Sequence, residues 1–379
     1  MQLRKHRFLF LIEDYNLFYT RYFAQHPSLS GKKYDGAIAE LLDLMYYQAD
    51  SYAAVLRKMG QEAETGIMEC NPLQLTWLKE NDFPLYLKWK AGRFQRSFQS
   101  RVFKKYDTFS KLHLQTLKAQ VEKYKPDVIF VYSGVHMTSE GLDYFKKKGI
   151  KLVLHWSCEF SDTFPYKSFD LIITSARQLQ RKFTEMGIHC VEFQQAFDAR
   201  IIQKTGVPQE RDIDVAFVGN FLPTSTDRVK VLSHLSRNVS IRIFGSGTKL
   251  LPADSPIHAR HRGSIGGLDL FRTYLKSKIA LHIPNDQLAD YAGAKRYFEV
   301  TGTGTFLLSK HQSNIGEYFK VGEEIVTFEN EQDCLEKIKY YLSHQRERDK
   351  IAYAGQQRTL KDHSFDQRAP RLLELVDNL

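Results

Sequence analysis

Short apolar segments typical of β-strands alternate with helix-like segments along the whole of this 379-residue chain. Strands that alternate with helices pair in parallel, because each helix carries the chain back before the next strand begins. The pattern therefore predicts an α/β fold with parallel sheets. The candidate strands are residues 8–12, 62–68, 127–131, 151–155, 171–174 and 190–193, followed by 214–218, 240–244, 279–283, 305–308 and 325–328.

The strand-helix series restarts after a polar stretch, residues 203–211, that contains Gly206 and Pro208. A chain of this length is also too long for one ordinary hydrophobic core. We therefore predict two Rossmann-like domains, residues 1–205 and 206–365, that face each other across a cleft. Ligands of open parallel sheets bind beyond the carboxyl ends of the strands, so the loops at those ends are where we expect the site.

Composition limits the classes of protein and partner. Hydrophobic content of 42% and charged content of 26% are those of a soluble globular protein, and no apolar run approaches the ~20 residues of a membrane span. The net charge of +10 favours anionic partners, but no helix-turn-helix, zinc-finger, RNP or KH signature supports nucleic acid. Scattered Cys70, Cys158, Cys190 and Cys334 predict reduced thiols in a cytoplasmic protein without a structural metal.

Arg296 and Glu299 are the residues whose spacing suggests a nucleotide site. They lie three apart, so on a helix they share one face. There the Arg could bind a diphosphate while the Glu accepts hydrogen bonds from two ribose hydroxyls. Gly293 would let the backbone approach phosphate, and Lys295 is a second cation for the same role. The alternative is an ordinary surface salt bridge, and these residues alone favour it.

The order of motifs around this pair resembles the C-terminal half of a nucleotide-sugar glycosyltransferase of GT-B architecture. More narrowly it resembles the CgeB-like, spore-maturation-type branch of the family 1 and family 4 transferases. The similarity is closest over the last hundred residues and weakest over residues 83–124. The segments that carry it are 293–308, 316–326, 330–342, 351–355 and 363–368, with further landmarks at 52–60, 70–77, 125–128 and 193–198.

This resemblance implies a metal-independent transfer of a sugar from a nucleotide diphosphate to a glycan, lipid-linked or other hydroxyl acceptor, as in bacterial cell-surface polysaccharide biosynthesis. The second domain would bind the donor, the first the acceptor, and a final helix, residues 366–379, would return to the first domain. The loop with Gly263 and Ser264 would hold the nucleobase. Glu299 matches the second Glu of a Glu-x7-Glu motif, but Tyr291 replaces the first, so a retaining course does not follow.

Further donor contacts are expected after the first two strands of the second domain. Gly219 and Asn220 follow residues 214–218, and Arg228 opens the next helix, where the alternative is an exposed helix-start charge. Gly245 and Ser246 follow residues 240–244, without a full GxGxxG fingerprint. The Asp-x-Asp spelling of residues 212–214 precedes its strand rather than following it, so we expect no metal there.

Three residues of the first domain are candidate catalytic groups. His155 ends the strand 151–155, at a position where related transferases often place a His against the donor, and His136 follows the preceding strand. An imidazole there could donate to the leaving phosphate or orient the acceptor. Asp14 follows the first strand and could be a general base, although loop-initiating Asp residues are common for turn reasons alone.

Residues 86–106 carry basic and aromatic side chains with no acid. Phe94, Phe98 and Val102 recur every four residues, which predicts an amphipathic helix with a solvated basic face. A sharper interpretation is peripheral contact with the inner face of a membrane. Two functional alternatives stay open at this stage: a non-catalytic nucleotide- or glycan-binding relative in cell-surface or spore-coat assembly, and a basic membrane- or nucleic-acid-binding protein.

Overall fold

The structure is a computed structural model that describes residues 4–14, 17–99, 107–132, 137–157, 160–206, 210–284, 291 and 293–379. Within these residues the strands form two wholly parallel sheets. The first half of the chain supplies one sheet and the second half the other, which confirms the predicted α/β architecture of two Rossmann-like units.

The first sheet has the strand order β2-β1-β3-β4-β5-β6 among the described residues. Its strand order reverses beside β1, so the crevice beyond the carboxyl ends of β1 and β3 is one expected ligand position. The strands are β1 Arg7–Ile12, β2 Glu62–Ile67, β3 Val128–Tyr132, β4 Lys151–His155, β5 Leu171–Thr174 and β6 Cys190–Glu192.

The second sheet has the order β11-β10-β9-β7-β8 within the described chain. Its order reverses beside β7, which places the corresponding crevice beyond β7 and β9. The strands are β7 Ile213–Val218, β8 Ile241–Phe244, β9 Ser277–His282, β10 Phe306–Lys310 and β11 Val326–Phe328.

Helices cover the sheets, as parallel strands require. They are α1 Phe18–Gln25, α2 Tyr34–Asp43, α3 Ser51–Lys58, α4 Asn71–Asn81, α5 Phe83–Gln99, α6 Asp107–Tyr124, α7 Ser139–Lys147, α8 Arg177–Glu185, α9 Arg200–Thr205, α10 Thr226–Asn238, α11 Ile257–Arg260, α12 Leu268–Leu275, α13 Arg296–Gly302, α14 Glu331–Ser343, α15 Gln345–Asp362 and α16 Phe365–Asp377.

Both faces of each sheet are buried, which is why the strands read as continuous apolar runs. In β1, Phe8 and Phe10 belong to one core cluster, whereas Leu9 and Leu11 belong to the cluster on the opposite face. Alternate side chains of a strand point to opposite faces, so an apolar run with helices on both sides fills two cores.

Helix α16 packs against the first sheet although it ends the chain. Phe365, Leu372 and Val376 lie in the same buried cluster as Phe8 and Phe10 of β1. The chain crosses between the halves where Phe197 and Phe365 pair: Phe365 N donates to Phe197 O at 3.1 Å. The last helix therefore ties the end of the chain to its beginning.

Two predictions about individual segments need comment. Helix α5 confirms a helix in the basic segment up to Gln99, while residues 100–106, including Val102, lie outside the described residues. Cys70, Cys190 and Cys334 are buried free thiols, and Cys158 lies outside the described residues. No helix in the described part of the chain is both long and apolar enough to span a membrane.

Candidate functional site

Lys295, Arg296 and Glu299 form one charged cluster at the start of α13, on the side of the second sheet where β9 ends. Arg296 Nη1 donates to Glu299 Oε2 at 2.6 Å, and Lys295 Nζ lies 3.8 Å from Glu299 Oε1. Glu299 is only 5% exposed. The predicted shared helix face is therefore confirmed: the pair is an i,i+3 salt bridge, as the alternative expected, but its carboxylate is buried rather than on the surface.

The cluster carries two cations against one carboxylate in a place largely shielded from water. Burial lowers the pKa of Lys295 to about 8; Glu299 opposes this shift and Arg296 adds to it. The lowered pKa measures how poorly the surroundings stabilise this ammonium. An anion with two or more charges, such as a diphosphate, would supply the missing negative charge.

His155 stands across the cleft from this cluster, at the carboxyl end of β4. Its Nε2 lies 3.1 Å from Gln195 Nε2 and 3.5 Å from Ser157 Oγ. Burial, and then the charge of Lys295, lower the pKa of His155 to about 4, so the imidazole is neutral at pH 7. Its buried Nδ1 has no hydrogen-bond partner among the described residues.

Lys295 acts on the pKa of His155, so these two residues, predicted from separate halves of the sequence, lie close together. His136, the competing candidate, lies outside the described residues.

Gly293 lies at the contact between the halves. A Cβ atom on Gly293 would come within 2.4 Å of the carbonyl oxygen of Ser175. Ser175 follows β5 of the first half, and its Oγ lies 3.2 Å from Ser157 Oγ. Gly293 therefore allows a close backbone approach, as predicted, and the first half of the protein makes that approach.

Gly219 and Gly245 pack against each other. Gly245 has φ +149°, and a Cβ there would lie 2.0 Å from Gly219 O; a Cβ on Gly219 would meet the Phe217 ring at 2.8 Å. Ser246 N donates to Asn220 Oδ1 at 2.9 Å, which joins the two loops further. The two glycines therefore make room for the crossing of the loops after β7 and β8.

Arg228 is 8% exposed, so the alternative of an exposed helix-start charge is wrong. Its Nη2 donates to Ile283 O at 2.8 Å and its Nη1 donates to Asn220 O. These bonds tie the loop after β7 to the loop after β9, at the point where the strand order reverses. The guanidinium thus shapes the donor-side crevice.

His282 ends β9 in the same crevice and was not singled out from the sequence. Burial lowers its pKa to about 3, and the charges of Arg228 and Arg296 act in the same direction. Its Nε2 is buried and without a hydrogen-bond partner in the part of the chain that is described. The signal that could have identified it is a polar residue next to the carboxyl end of the predicted strand 279–283.

The loop proposed for the nucleobase borders open space. Gly263 O accepts from Gly245 N at 2.9 Å, so the loop begins beside the crevice. Gly263 has φ +85°, a Cβ there would meet nothing within 4 Å, and Ser264 is exposed. The two residues therefore face solvent next to the crossing loops.

Asp14 has a structural explanation. It is 3% exposed, and its carboxylate accepts from Tyr19 N at 2.6 Å, from Thr20 N at 2.9 Å and from Thr20 Oγ1 at 2.5 Å. The carboxylate therefore binds backbone N–H groups in the first turn of α1, as a helix-capping carboxylate does. A general base needs an oxygen that can reach substrate, so Asp14 does not enter the mechanism proposed below.

The Asp-x-Asp motif, residues 212–214, lies at the beginning of strand β7, as its position in the sequence indicated. Asp212 lies 3.4 Å from Arg242 and Asp214 lies 2.6 Å from Lys278, at the amino end of β7. Among the described residues no group of three or more His, Cys, Asp or Glu side chains is placed to hold a metal ion.

A cavity of ≈ 370 Å³ lies elsewhere, between α2, α3, β2 and α9. Its lining includes Asp50 and Arg57, paired at 2.9 Å, and Lys204, paired with Asp43. These side chains already satisfy one another. Since the candidate donor and catalytic residues lie outside this lining, the site is assigned from the cluster at α13 rather than from the cavity.

Two contacts across the cleft could not be read from the sequence. Tyr47 of the first half lies over the cluster, with Lys295 Nζ 4.9 Å from its ring centre. Arg177 at the start of α8 bonds Glu317 of the second half and lies 5.2 Å from the ring centre of Tyr291. Arg177 follows the carboxyl end of β5, where functional residues of parallel sheets are expected, although the sequence does not show its partner. Nothing in the sequence indicates a role for Tyr47.

Comparison with known proteins gives one family match, which lies in the second half of the chain. Residues 228–374 match the family model described as "Glycosyl transferase-like". No curated protein matches the chain in sequence.

Solved structures resemble the chain over 72% to 99% of its length. A glycosyltransferase from Rickettsia africae ESF-5 is 11% identical with a TM-score of 0.57, over 99% of this chain and 98% of that one. Anabaena Alr3699/HepE in complex with UDP and glucose is 13% identical with a TM-score of 0.54, over 99% and 100%. Sucrose-phosphate synthase from Thermosynechococcus elongatus is 10% identical with a TM-score of 0.52, over 72% and 78%. The chain therefore has the two-domain GT-B fold of these glycosyltransferases.

Proposed function

We propose that the protein is a metal-independent glycosyltransferase that moves a sugar from a nucleotide-diphosphate sugar to a hydroxyl acceptor. The observation that carries the proposal is the cluster of buried Glu299 with partly buried Lys295 and Arg296, near His155. The similarity to HepE, whose structure holds UDP and glucose, supports a nucleotide-sugar donor, as does the match of residues 228–374 to a transferase family.

The second half would bind the donor. Arg296 and Lys295 would neutralise the diphosphate, and Glu299 would accept hydrogen bonds from the ribose hydroxyls while keeping its bond to Arg296. Buried cations stabilise a leaving group strongly, because water does not screen them. In the reaction the C1–O bond to the diphosphate breaks, and the electron pair leaves with the phosphate oxygen toward Lys295 and Arg296.

The first half would bind the acceptor and handle its proton. As the acceptor oxygen forms its bond to C1, its proton must pass to a base, and His155 is the imidazole of the first half whose pKa responds to Lys295. Its pKa of about 4 is held down in part by Lys295. A bound diphosphate would neutralise that ammonium and raise the pKa of His155 toward the range useful for proton transfer.

The acceptor would be a glycan or a lipid-linked sugar, as the resemblance to CgeB-like transferases of bacterial cell-surface assembly suggests. A cytoplasmic enzyme acting on a lipid-linked acceptor would work at the inner membrane face. The basic segment 86–106 is the part of the chain that we propose for that contact.

The test is release of nucleoside diphosphate from a panel of UDP-, GDP-, ADP- and TDP-sugars, in EDTA and in magnesium. We expect release with one nucleotide class, equal in both buffers, and a loss of about 100-fold for Arg296→Ala, as expected for one transition-state charge contact. The matched control is Arg272→Ala, an exposed arginine paired with Asp269 on α12.

Two outcomes would contradict the proposal. Release that requires magnesium would remove the metal-independent mechanism. Nucleotide binding with no release from any donor would favour a non-catalytic relative.

A further inference from the structure

The backbone of residues 45–48 is held in an unusual conformation. Met45, Tyr47 and Gln48 have φ of 55°, 52° and 52°, the left-handed region that L residues rarely adopt. In the described chain the other non-glycine residues with positive φ, Leu17 and Lys125, lie well away from this segment in sequence. Such clustered strain persists only where neighbours enforce it, and it is commonest at functional sites.

Contacts from the first half hold the residues that flank Tyr47. Tyr46 is 8% exposed, and its ring stacks on Phe18 with 3.7 Å between centroids. Tyr19 Oη donates to Tyr46 O at 3.1 Å. Gln48 is 1% exposed, and its Oε1 accepts from Asp198 N at 2.8 Å. The strained segment is therefore fixed by buried anchors on both sides of Tyr47.

The second half braces the same segment. A Cβ on Gly266 would come within 2.5 Å of the Tyr46 ring, and Leu268 N donates to Leu44 O at 3.0 Å. Both halves thus meet where the backbone is strained.

These contacts hold the aromatic ring of Tyr47 in an exposed position. Tyr47 is 55% exposed between two buried neighbours, and the Lys295 ammonium lies 4.9 Å from its ring centre. The phenol also acts on the pKa of Arg296, so it lies close to the cations proposed for the diphosphate. A large ring kept exposed over a charged cluster is placed to contact what binds there.

The groups that share this space suit a sugar. His155, which lies close enough to Lys295 for that ammonium to lower its pKa, presents a neutral imidazole, and Ser157 and Gln195 beside it add a hydroxyl and an amide. A pyranose has an apolar C–H face, which gains from covering an aromatic ring, and hydroxyls at its edge, which need hydrogen-bond partners. An acyl chain would cover the ring but leave the polar groups unsatisfied.

We propose that Tyr47 is a stacking platform for a pyranose ring, with Lys295 turning from the phenol to the donor diphosphate. The proposal rests on the function proposed above, since it takes Lys295 and Arg296 as the diphosphate contacts. The pyranose can come from the donor or from a glycan acceptor, and the two sources are separable by experiment.

The variants are Tyr47→Ala, Tyr47→Phe and Tyr47→Gly, with Tyr353→Ala as the matched control because Tyr353 is 64% exposed on α15. Tyr47→Phe keeps the ring. Tyr47→Gly relieves the left-handed strain, so a loss of binding in that variant, with its melting temperature retained, cannot come from unfolding. The probes are UDP and UDP-glucose by calorimetry, and a glycan microarray with labelled protein.

We expect UDP affinity to change less than about twofold in every variant. Binding of UDP-glucose, of an array glycan, or of both should fall about tenfold in Tyr47→Ala and Tyr47→Gly, in the range of one aromatic contact. Tyr47→Phe and Tyr353→Ala should bind like the wild type. A loss confined to UDP-glucose identifies the donor sugar, and a loss confined to the array identifies the acceptor.

Sugar-dependent binding that is unchanged in Tyr47→Ala and Tyr47→Gly, or absent from the wild type in both assays, would overturn the platform. So would a loss in Tyr47→Phe as large as in Tyr47→Ala, since the ring would then be irrelevant. Failure of the proposed donor site appears differently: the wild type would bind none of UDP, GDP, ADP and TDP, while the array result would still decide the platform.

Discussion

Arg177 in the first half of the chain holds Glu317 in the second half by two parallel hydrogen bonds, Nη1 to Oε1 at 3.1 Å and Nη2 to Oε2 at 2.7 Å. Arg177 also pairs with Glu192 of its own half at 2.8 Å. The guanidinium of Arg177 is thus held by Glu192 in the first half and hydrogen-bonds Glu317 in the second half.

Glu317→Ala should loosen the closed arrangement with little loss of stability. The pair is partly exposed, so its removal should cost about 0.2–1 kcal/mol of unfolding free energy. We expect a larger radius of gyration by small-angle X-ray scattering, and the same change in wild type at high salt. Glu323→Ala, whose partner Lys320 lies in the same half, is the control. An unchanged scattering profile in Glu317→Ala would show that this pair does not hold the cleft.

Gly245→Ala tests the crossing of the loops after β7 and β8. Its Cβ would meet a backbone carbonyl at 2.0 Å with φ at +149°, so we expect a loss of about 3–5 kcal/mol in urea unfolding. Gly187→Ala, at φ +71° in open space, should cost only about 1 kcal/mol. If the two variants were equally stable and only Gly245→Ala lost nucleotide binding, Gly245 would instead be a direct contact of the donor.

Nucleotide affinity should depend on the charge of Lys295. Burial lowers its pKa to about 8, so above that pH the free protein loses the ammonium and must take up a proton to bind a diphosphate. Affinity should then fall toward tenfold per pH unit, beginning near pH 8. Lys295→Arg stays charged and should remove this dependence. A wild-type affinity that is flat from pH 7 to 9.5 would exclude Lys295 from the diphosphate contact.

Acid should destabilise the protein through buried neutral imidazoles. Burial lowers the pKa of His155 and His363 to about 4 and that of His282 to about 3. The unfolded chain binds these protons near pH 6.5, so it gains protons first as the pH falls. Stability is therefore full above pH 6.5 and is lost between about 6.5 and 4, by roughly 1–3 kcal/mol per residue.

Urea unfolding at pH 7.0, 5.5 and 4.5 measures this loss. His282→Gln should flatten the pH dependence, whereas His258→Gln, a substitution on the exposed surface of α11, should leave it unchanged. A wild-type stability that stays constant down to pH 4.5 would show that these imidazoles are accessible to protons in the folded protein.

Much of the fold could be predicted because strands that are buried on both faces appear in the sequence as continuous apolar runs. Strands β4 and β5 have the predicted bounds, and β9 differs: it begins at Ser277, which pairs with Ile213 of β7. Pairing with a neighbouring strand sets where a strand begins, and no local pattern records it.

The site was predictable where a spacing has one geometric meaning. Three residues of separation place Arg296 and Glu299 on one helix face whatever surrounds them. A glycine in the sequence indicates only that something comes close, so the backbone neighbours of Gly245 and Gly293 could not be predicted. Tyr47 was missed because a left-handed tyrosine is a product of tertiary bracing.

The most direct test of the donor site is a titration with UDP, GDP, ADP, TDP and CMP in EDTA, on wild type, Glu299→Ala and the exposed control Glu323→Ala. The account predicts that one nucleoside diphosphate binds, with affinity unchanged in the control and weaker by about 1.5–3 kcal/mol in Glu299→Ala, the range for hydrogen bonds to a charged group. Binding of none of them, or equal binding by wild type and Glu299→Ala, would contradict it.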